Sequence, residues 1–85
     1  GNYRKAGRFK MLKINKTTEV LGIIDSDVLW NNKLSLVAKG IYATIMNING
    51  CSMEMEELYN SIDKKEDIDN AIKELINNGL IRVEK

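Results

Sequence analysis

The chain has 85 residues, 44% of them hydrophobic, which makes one small domain. A chain this short buries roughly 60–65% of the surface its unfolded form exposes, which argues against a large internal site, and no run of about 18 apolar residues exists to cross a membrane. The formal net charge of +1 hides an uneven spread: residues 1–16 carry six basic side chains and no acid, a charge of +6, and the rest carry seven basic and twelve acidic side chains, a charge of −5.

The chain opens on Gly1 rather than Met, which reads as a fragment of a longer protein, and its basic start is not followed by an apolar core, so no signal peptide is read. Residues 1–20 read as a basic N-terminal arm or strand, and residues 21–85 as the folded domain. In "RFKMLKIN", residues 8–15, apolar and basic residues alternate. The pattern predicts a strand with Phe9, Met11 and Ile14 on one side, Leu12 breaking the phase, and Lys10 and Lys13 elsewhere. "NKTTE" is rich in turn formers, and "VLGII" reads as a second strand, so an N-terminal β-hairpin is expected.

Asp25, Ser26 or Asp27 can cap a short helix over "DVLWNN", residues 27–32. Ser35 caps a longer helix whose apolar positions are Val37, Ile41, Ile45 and Ile48, with Leu36, Ala38 and Ala43 filling in, and Gly50 stops it. "CSM" fits a strand of two or three residues. A second helix is expected from about Glu54, with Met55, Leu58 and Ile62 on one face and three acids in its first turn, where the helix dipole favours them. A third runs from about Lys65 to Asn78 on a stripe of Ile68, Ala71, Ile72, Leu75 and Ile76. Gly79 sits where a left-handed cap is needed, and "LIRVE" alternates as a strand, Leu80 and Arg82 opposite Ile81 and Val83.

Cys51 is the lone cysteine, with no internal disulfide partner, and suits a reducing cytoplasm as a small packing residue. With no His, Cys–His, Ser–His and His–metal chemistry are excluded, and a metal site would need carboxylates alone. The expectation is therefore a protein that is not an enzyme, with no cofactor, no metal and no small-molecule substrate. Trp30 and Tyr42 read as packed aromatics, and Met53 and Met55 as gap fillers. Ser35 and Asp63 read as caps or turn formers.

Two helices joined by a tight connection, then Gly and a strand, form a helix-turn-helix with a wing. The expected fold is α+β: a winged helix-turn-helix, a three-helix core with a small β-sheet, plus the N-terminal hairpin. The chain ends after one wing strand, which leaves an edge that an N-terminal strand can occupy.

"KLSLVAKGIYATIM", residues 33–46, resembles the first-helix signature of winged-helix domains in phage and plasmid replication initiators, phage replisome organizers and DnaD-like primosomal proteins, through Leu34, Ser35, Leu36, Ala38, Lys39, Gly40, Ile41 and Tyr42. A second match lies at Asp67, Ile68, Ala71, Ile72, Lys73, Glu74, Leu75, Gly79 and Leu80, with "MEELYNSI" fitting the helix between. The resemblance covers about residues 21–85. It implies binding to double-stranded DNA near a replication origin, often as a homo-oligomer, and recruitment of replication-protein partners. Where related helices often carry Arg, this chain has Asp69 and Asn70.

The candidate DNA contacts follow. Arg4, Lys5, Arg8, Lys10 and Lys13 lie in the basic arm, with Lys16 beside them, and suit phosphates or a minor groove. Lys64, Lys65, Asn70, Lys73 and Asn77 belong to helix three, whose outward face is expected to read Lys65, Glu66, Asp69, Asn70, Lys73, Asn77. Arg82 lies on the wing strand. The alternative is a protein–protein interaction or oligomerisation module, with an acidic helix-three face docking a basic partner such as a neighbouring copy's arm.

Overall fold

Among the described residues, the first strand is the middle of the sheet. In a computed structural model that describes residues 10–15, 25–48 and 50–84, β1 (Met11–Ile14) lies between β2 (Ser52–Glu54) and β3 (Ile81–Glu84), antiparallel to both. Among the described residues, three α-helices and one 3₁₀ helix complete an α+β architecture. The expected strand "VLGII" and the turn before it lie outside the described residues, as do Arg4, Lys5, Arg8 and Lys16.

In β1 the expected phase is corrected. Leu12 and Ile14 point to the core, at 0% and 2% exposure, and Met11 and Lys13 point outward. The register explains it. Leu12 sits opposite Met53 and Val83, and a slip by one residue would turn every side chain to the other face. A central strand has both rows of backbone groups paired, so residues 11–14 are built into the folded body rather than hanging from it.

The first helix, α1 (Ser26–Leu29), is one turn and ends before the expected Asn32. The Asn31 side chain stops it: its Oδ1 accepts from the Lys33 N–H at 2.8 Å, turning the chain instead of extending the helix. Only Val28 of this turn is buried, and Trp30, expected to be packed, is 79% exposed. A single turn anchored by one residue has no second face to cover an indole.

Helix α2 (Leu36–Met46) begins as expected at Ser35, whose Oγ accepts from the Ala38 N–H at 3.1 Å. It buries Ala38, Ile41, Tyr42, Ile45 and Met46, and leaves Leu36 84% exposed. The helix ends at Asn47, before Gly50 is reached. Gly50 and Cys51 both have positive φ, 89° and 52°, and shape the turn into β2. The buried Cys51 joins that turn to the sheet: its N–H donates to Ile48 O at 2.7 Å, and its carbonyl accepts from Ile14 N at 3.1 Å.

The expected second α-helix is a 3₁₀ helix, Met55–Asn60. With three residues per turn, Met55 and Leu58 share a face. Leu58 is buried, but the chain turns extended at Ser61 and Ile62 is 100% exposed rather than on that face.

Helix α3 (Lys65–Asn77) seals the molecule. Ile68, Ala71, Ile72 and Leu75 are each 2% exposed or less, and they pack with Leu12, Ile14, Tyr42, Ile45 and Ile81 into one cluster. Ile76 was expected in the stripe but is 39% exposed, because its position lies about 100° round the helix from Leu75 and off the buried arc. The end is a Schellman motif on Gly79, φ 73°: Gly79 N–H donates to Ile76 O at 3.0 Å and Leu80 N–H to Leu75 O at 2.9 Å.

Candidate nucleic-acid interface

Helix α3 has four sides, and three of them are engaged within the fold. At about 100° per residue, Glu66, Asn70, Lys73 and Asn77 fall in one narrow strip diametrically opposite the buried stripe, and all four are exposed. Among the described residues, no hydrogen bond or ion pair holds the side chains of Asn70 and Asn77.

One flank faces the 3₁₀ helix. There the Tyr59 hydroxyl donates to Asp69 Oδ1, Lys65 Nζ lies 3.4 Å from Asp69 Oδ2, and the same ammonium sits 4.9 Å from the centre of the Tyr59 ring. The bond to Asp69 is the main reason the Tyr59 hydroxyl is pushed up to about 12, with burial and the charges of Asp69 and Glu56 adding to it. The same bond is the first cause of the lowered Asp69 carboxyl, with Lys65 and Lys73 helping and burial opposing. The expected outward face is corrected accordingly. Lys65 and Asp69 belong to this flank and are engaged with each other and with Tyr59.

The other flank faces the start of α2. Glu74 Oε1 accepts from the Ser35 N–H at 2.7 Å, beside the Ser35 cap on Ala38. Two oxygen acceptors thus meet the free N–H groups of the first turn of α2, and the Glu74 carboxylate lies at the positive end of the helix dipole. Of the acids that gave α3 its negative character, Asp69 and Glu74 therefore have partners within the fold. Glu66 and Asp67 occupy the first turn of α3, where its own dipole favours them.

The sheet carries a second basic group. Lys13 and Arg82 sit directly opposite each other on β1 and β3, a like-charge pairing that would repel if uncompensated. Arg82 Nε meets Glu84 Oε2 at 2.7 Å, and Nη1 reaches Asn15 Oδ1 at 3.1 Å and Ile14 O at 3.5 Å. The Arg82 hydrogen bond is the main cause of the lowered Glu84 carboxyl, with the Arg82 and Lys13 charges adding to it. Asn15 Nδ2 in turn donates to Gly79 O at 2.8 Å, so the guanidinium is tied through Asn15 to the cap of α3.

The expected contacts thus separate. Asn70, Lys73 and Asn77 share one strip, and Lys13 and Arg82 share the outer face of the sheet. Lys10 is exposed just ahead of β1, where its carbonyl accepts from Met55 N at 2.8 Å. Lys64 is exposed at the N-cap of α3, its carbonyl accepting from Ile68 N at 3.0 Å. Arg4, Lys5 and Arg8 lie outside the described residues. Sequence reasoning gave no role to Tyr59, Glu74 or Asn15. Tyr59 and Asp69 are ten residues apart and Ser35 and Glu74 thirty-nine, so no local pattern marks either pair.

A groove of about 350 Å³ opens beside α3, between Leu36, Val37, Gly40 and Thr44 of α2 and Leu58, Ser61 and Asp63. The exposed Leu36 lines it, and the fully exposed Ile62 falls between two of its lining residues. Among the described residues no group of three or more Cys, Asp or Glu could hold a metal ion, and no helix is long and apolar enough to cross a membrane. No protein-family model, curated protein or solved structure matches the chain.

Proposed function

We propose that this chain is a DNA-binding winged-helix module, from a replication initiator or a related mobile-element protein. The order of helix α2, strand β2, the 3₁₀ helix, helix α3 and strand β3 supports the fold part of the reading, with β1 taking the sheet position beside β3 that a second wing strand would hold. The replication part rests on the resemblance of residues 33–46 and 67–80. One observation carries the DNA reading: Asn70, Lys73 and Asn77 stand exposed at i, i+3 and i+7 on the sealed helix, without partners among the described residues except for Lys73's charge acting on Asp69. Groove-reading helices present base contacts along such a strip. The six basic residues of positions 1–16 would supply phosphate contacts.

The test is titration of a labelled duplex of mixed sequence, followed by fluorescence anisotropy at about 50 and 200 mM salt. If four phosphates are neutralised, log K falls with log salt at a slope of about −3.6, a loss of roughly 100-fold across that range. A chain that binds no duplex at the lower salt would rule the reading out.

A second reading, a protein-interaction or oligomerisation module, is favoured by the exposure of Leu36, which lines the α2 groove, and of Ile62, which lies in sequence between its lining residues Ser61 and Asp63. Winged helices do both jobs, so fold does not choose between them. Sedimentation of the chain alone and of Ile62→Asp tests it. A dimer that dissociates in the variant supports this reading, and a monomer at every concentration removes self-association.

A further inference from the structure

We infer that the strip on α3 selects duplexes bearing two adenines about three base pairs apart, read by Asn70 and Asn77 with Lys73 between them. This deepens the DNA-binding reading and rests on it.

A side-chain amide has one donor group and one acceptor, and adenine's major-groove edge offers the matching N6 amino group and N7. Such pairing needs an amide that the fold has not already engaged. Most asparagines on turns and helix ends here are engaged: Asn15 bonds Gly79 O, Asn31 the Lys33 N–H, Asn47 Ala43 O and Asn78 Glu74 O. Asn70 and Asn77 have no such bond among the described residues, and both point directly away from the core. Seven residues of α-helix advance about 10.5 Å, close to three base-pair steps of about 3.4 Å. The two amides would therefore meet different base pairs on one pass along the groove.

The rest of the strip bears on the same choice. It carries no Arg, the side chain that most often reads guanine with two hydrogen bonds. Glu66 at its N-terminal end can accept only from a base amino group, cytosine N4 or adenine N6, and repels phosphate, so it opposes indiscriminate docking of that end. Its charge and that of Lys73 cancel along the strip, which leaves base-edge hydrogen bonding as the strip's main means of attraction. Lys73, between the amides, can donate to guanine O6 or N7.

The experiment is selection of a random duplex pool of about 20 base pairs on the 85-residue chain, with sequencing of the retained duplexes. Anisotropy titrations of an enriched duplex and a mixed-sequence duplex follow, with Asn70→Ala and Asn77→Ala. Thermal melting of each variant checks that the exposed substitution leaves the fold intact. The expected result is enrichment of adenines at two positions about three base pairs apart. Each variant should lose about tenfold more affinity for the enriched duplex than for the mixed one. A retained pool without adenines at that spacing, or variants whose preference is unchanged, would overturn this inference and leave DNA binding standing. A chain that retains no duplex at low salt would overturn both.

Discussion

The outer face of the sheet and the outward strip of α3 carry the same kinds of residue to opposite ends. On the sheet, Lys13 and Arg82 are neighbours and the guanidinium holds Glu84, Asn15 and the Ile14 carbonyl. On α3, the acids at 69 and 74 are held from the flanks by Tyr59, Lys65 and the Ser35 N–H, while the amides of Asn70 and Asn77 are held by nothing among the described residues. The count of charges on an element therefore says less about its surface than which of those side chains the fold has already engaged. An acidic helix by composition presents a nearly neutral strip, and on the sheet the Arg82 cation is largely satisfied.

The largest effect comes from removing the support of that strip. Leu75→Ala, at 0% exposure, should cost about 2–5 kcal/mol in urea denaturation. That is a large part of the roughly 5–10 kcal/mol that a chain of this size holds. A loss under about 1 kcal/mol would mean that α3 is not sealed as described.

The contrast itself is tested by charge. Lys73→Glu should weaken duplex binding about tenfold or more by placing an anion among phosphates. Arg82→Gln should weaken it by less than about threefold, because its guanidinium is already bonded within the sheet, and should lower the melting temperature instead. The reverse ranking in anisotropy would make the sheet, not the helix, the contact surface.

Two substitutions probe the ends that orient the strip. Ser35→Ala should cost about 1 kcal/mol of stability through the lost cap on α2. Gly79→Ala should cost about 1 kcal/mol as well. A Cβ there would meet nothing within 4 Å, so the penalty is the left-handed φ of 73° alone. Denaturation of Gly79→Asn beside it separates the two possibilities, since Asn tolerates that conformation better than Ala.

The smallest effect is in pH. Tyr59 is raised from 10.0 to about 12, so the stability from its bond to Asp69 is whole below pH 10 and lost as pH climbs toward 12. Asp69 and Glu84 are lowered from 3.8 and 4.5, so their contributions are present above those values and lost as pH falls below them. Spectrophotometric titration of Tyr59→Phe beside the parent chain should show the loss of one tyrosine that ionises near pH 12. An unchanged titration in the variant would remove Tyr59 from the network.

Local periodicity made much of the fold legible. Helix α3, its Gly79 cap, the Ser35 cap and the short strand after Cys51 all follow from patterns within about a dozen residues. The phase of β1 did not, because Met11 and Leu12 are both apolar and only pairing with Met53 and Val83 chooses between them. The 3₁₀ helix was missed for a related reason. Met55 and Leu58 fit a period of 3 as well as one of 3.6, and only Ile62 distinguishes the two. For the candidate site, Asn70, Lys73 and Asn77 were named from sequence, but the tie of Asp69 to Tyr59 and of Glu74 to Ser35 joins distant segments.

By itself the sequence determined where α2 starts, where α3 starts and stops and which side of α3 is apolar, since caps, glycines and apolar spacing act over one or two turns. Tertiary structure alone decided which polar groups are left over. A side chain's availability depends on what packs beside it, and here those neighbours come from ten to nearly seventy residues away.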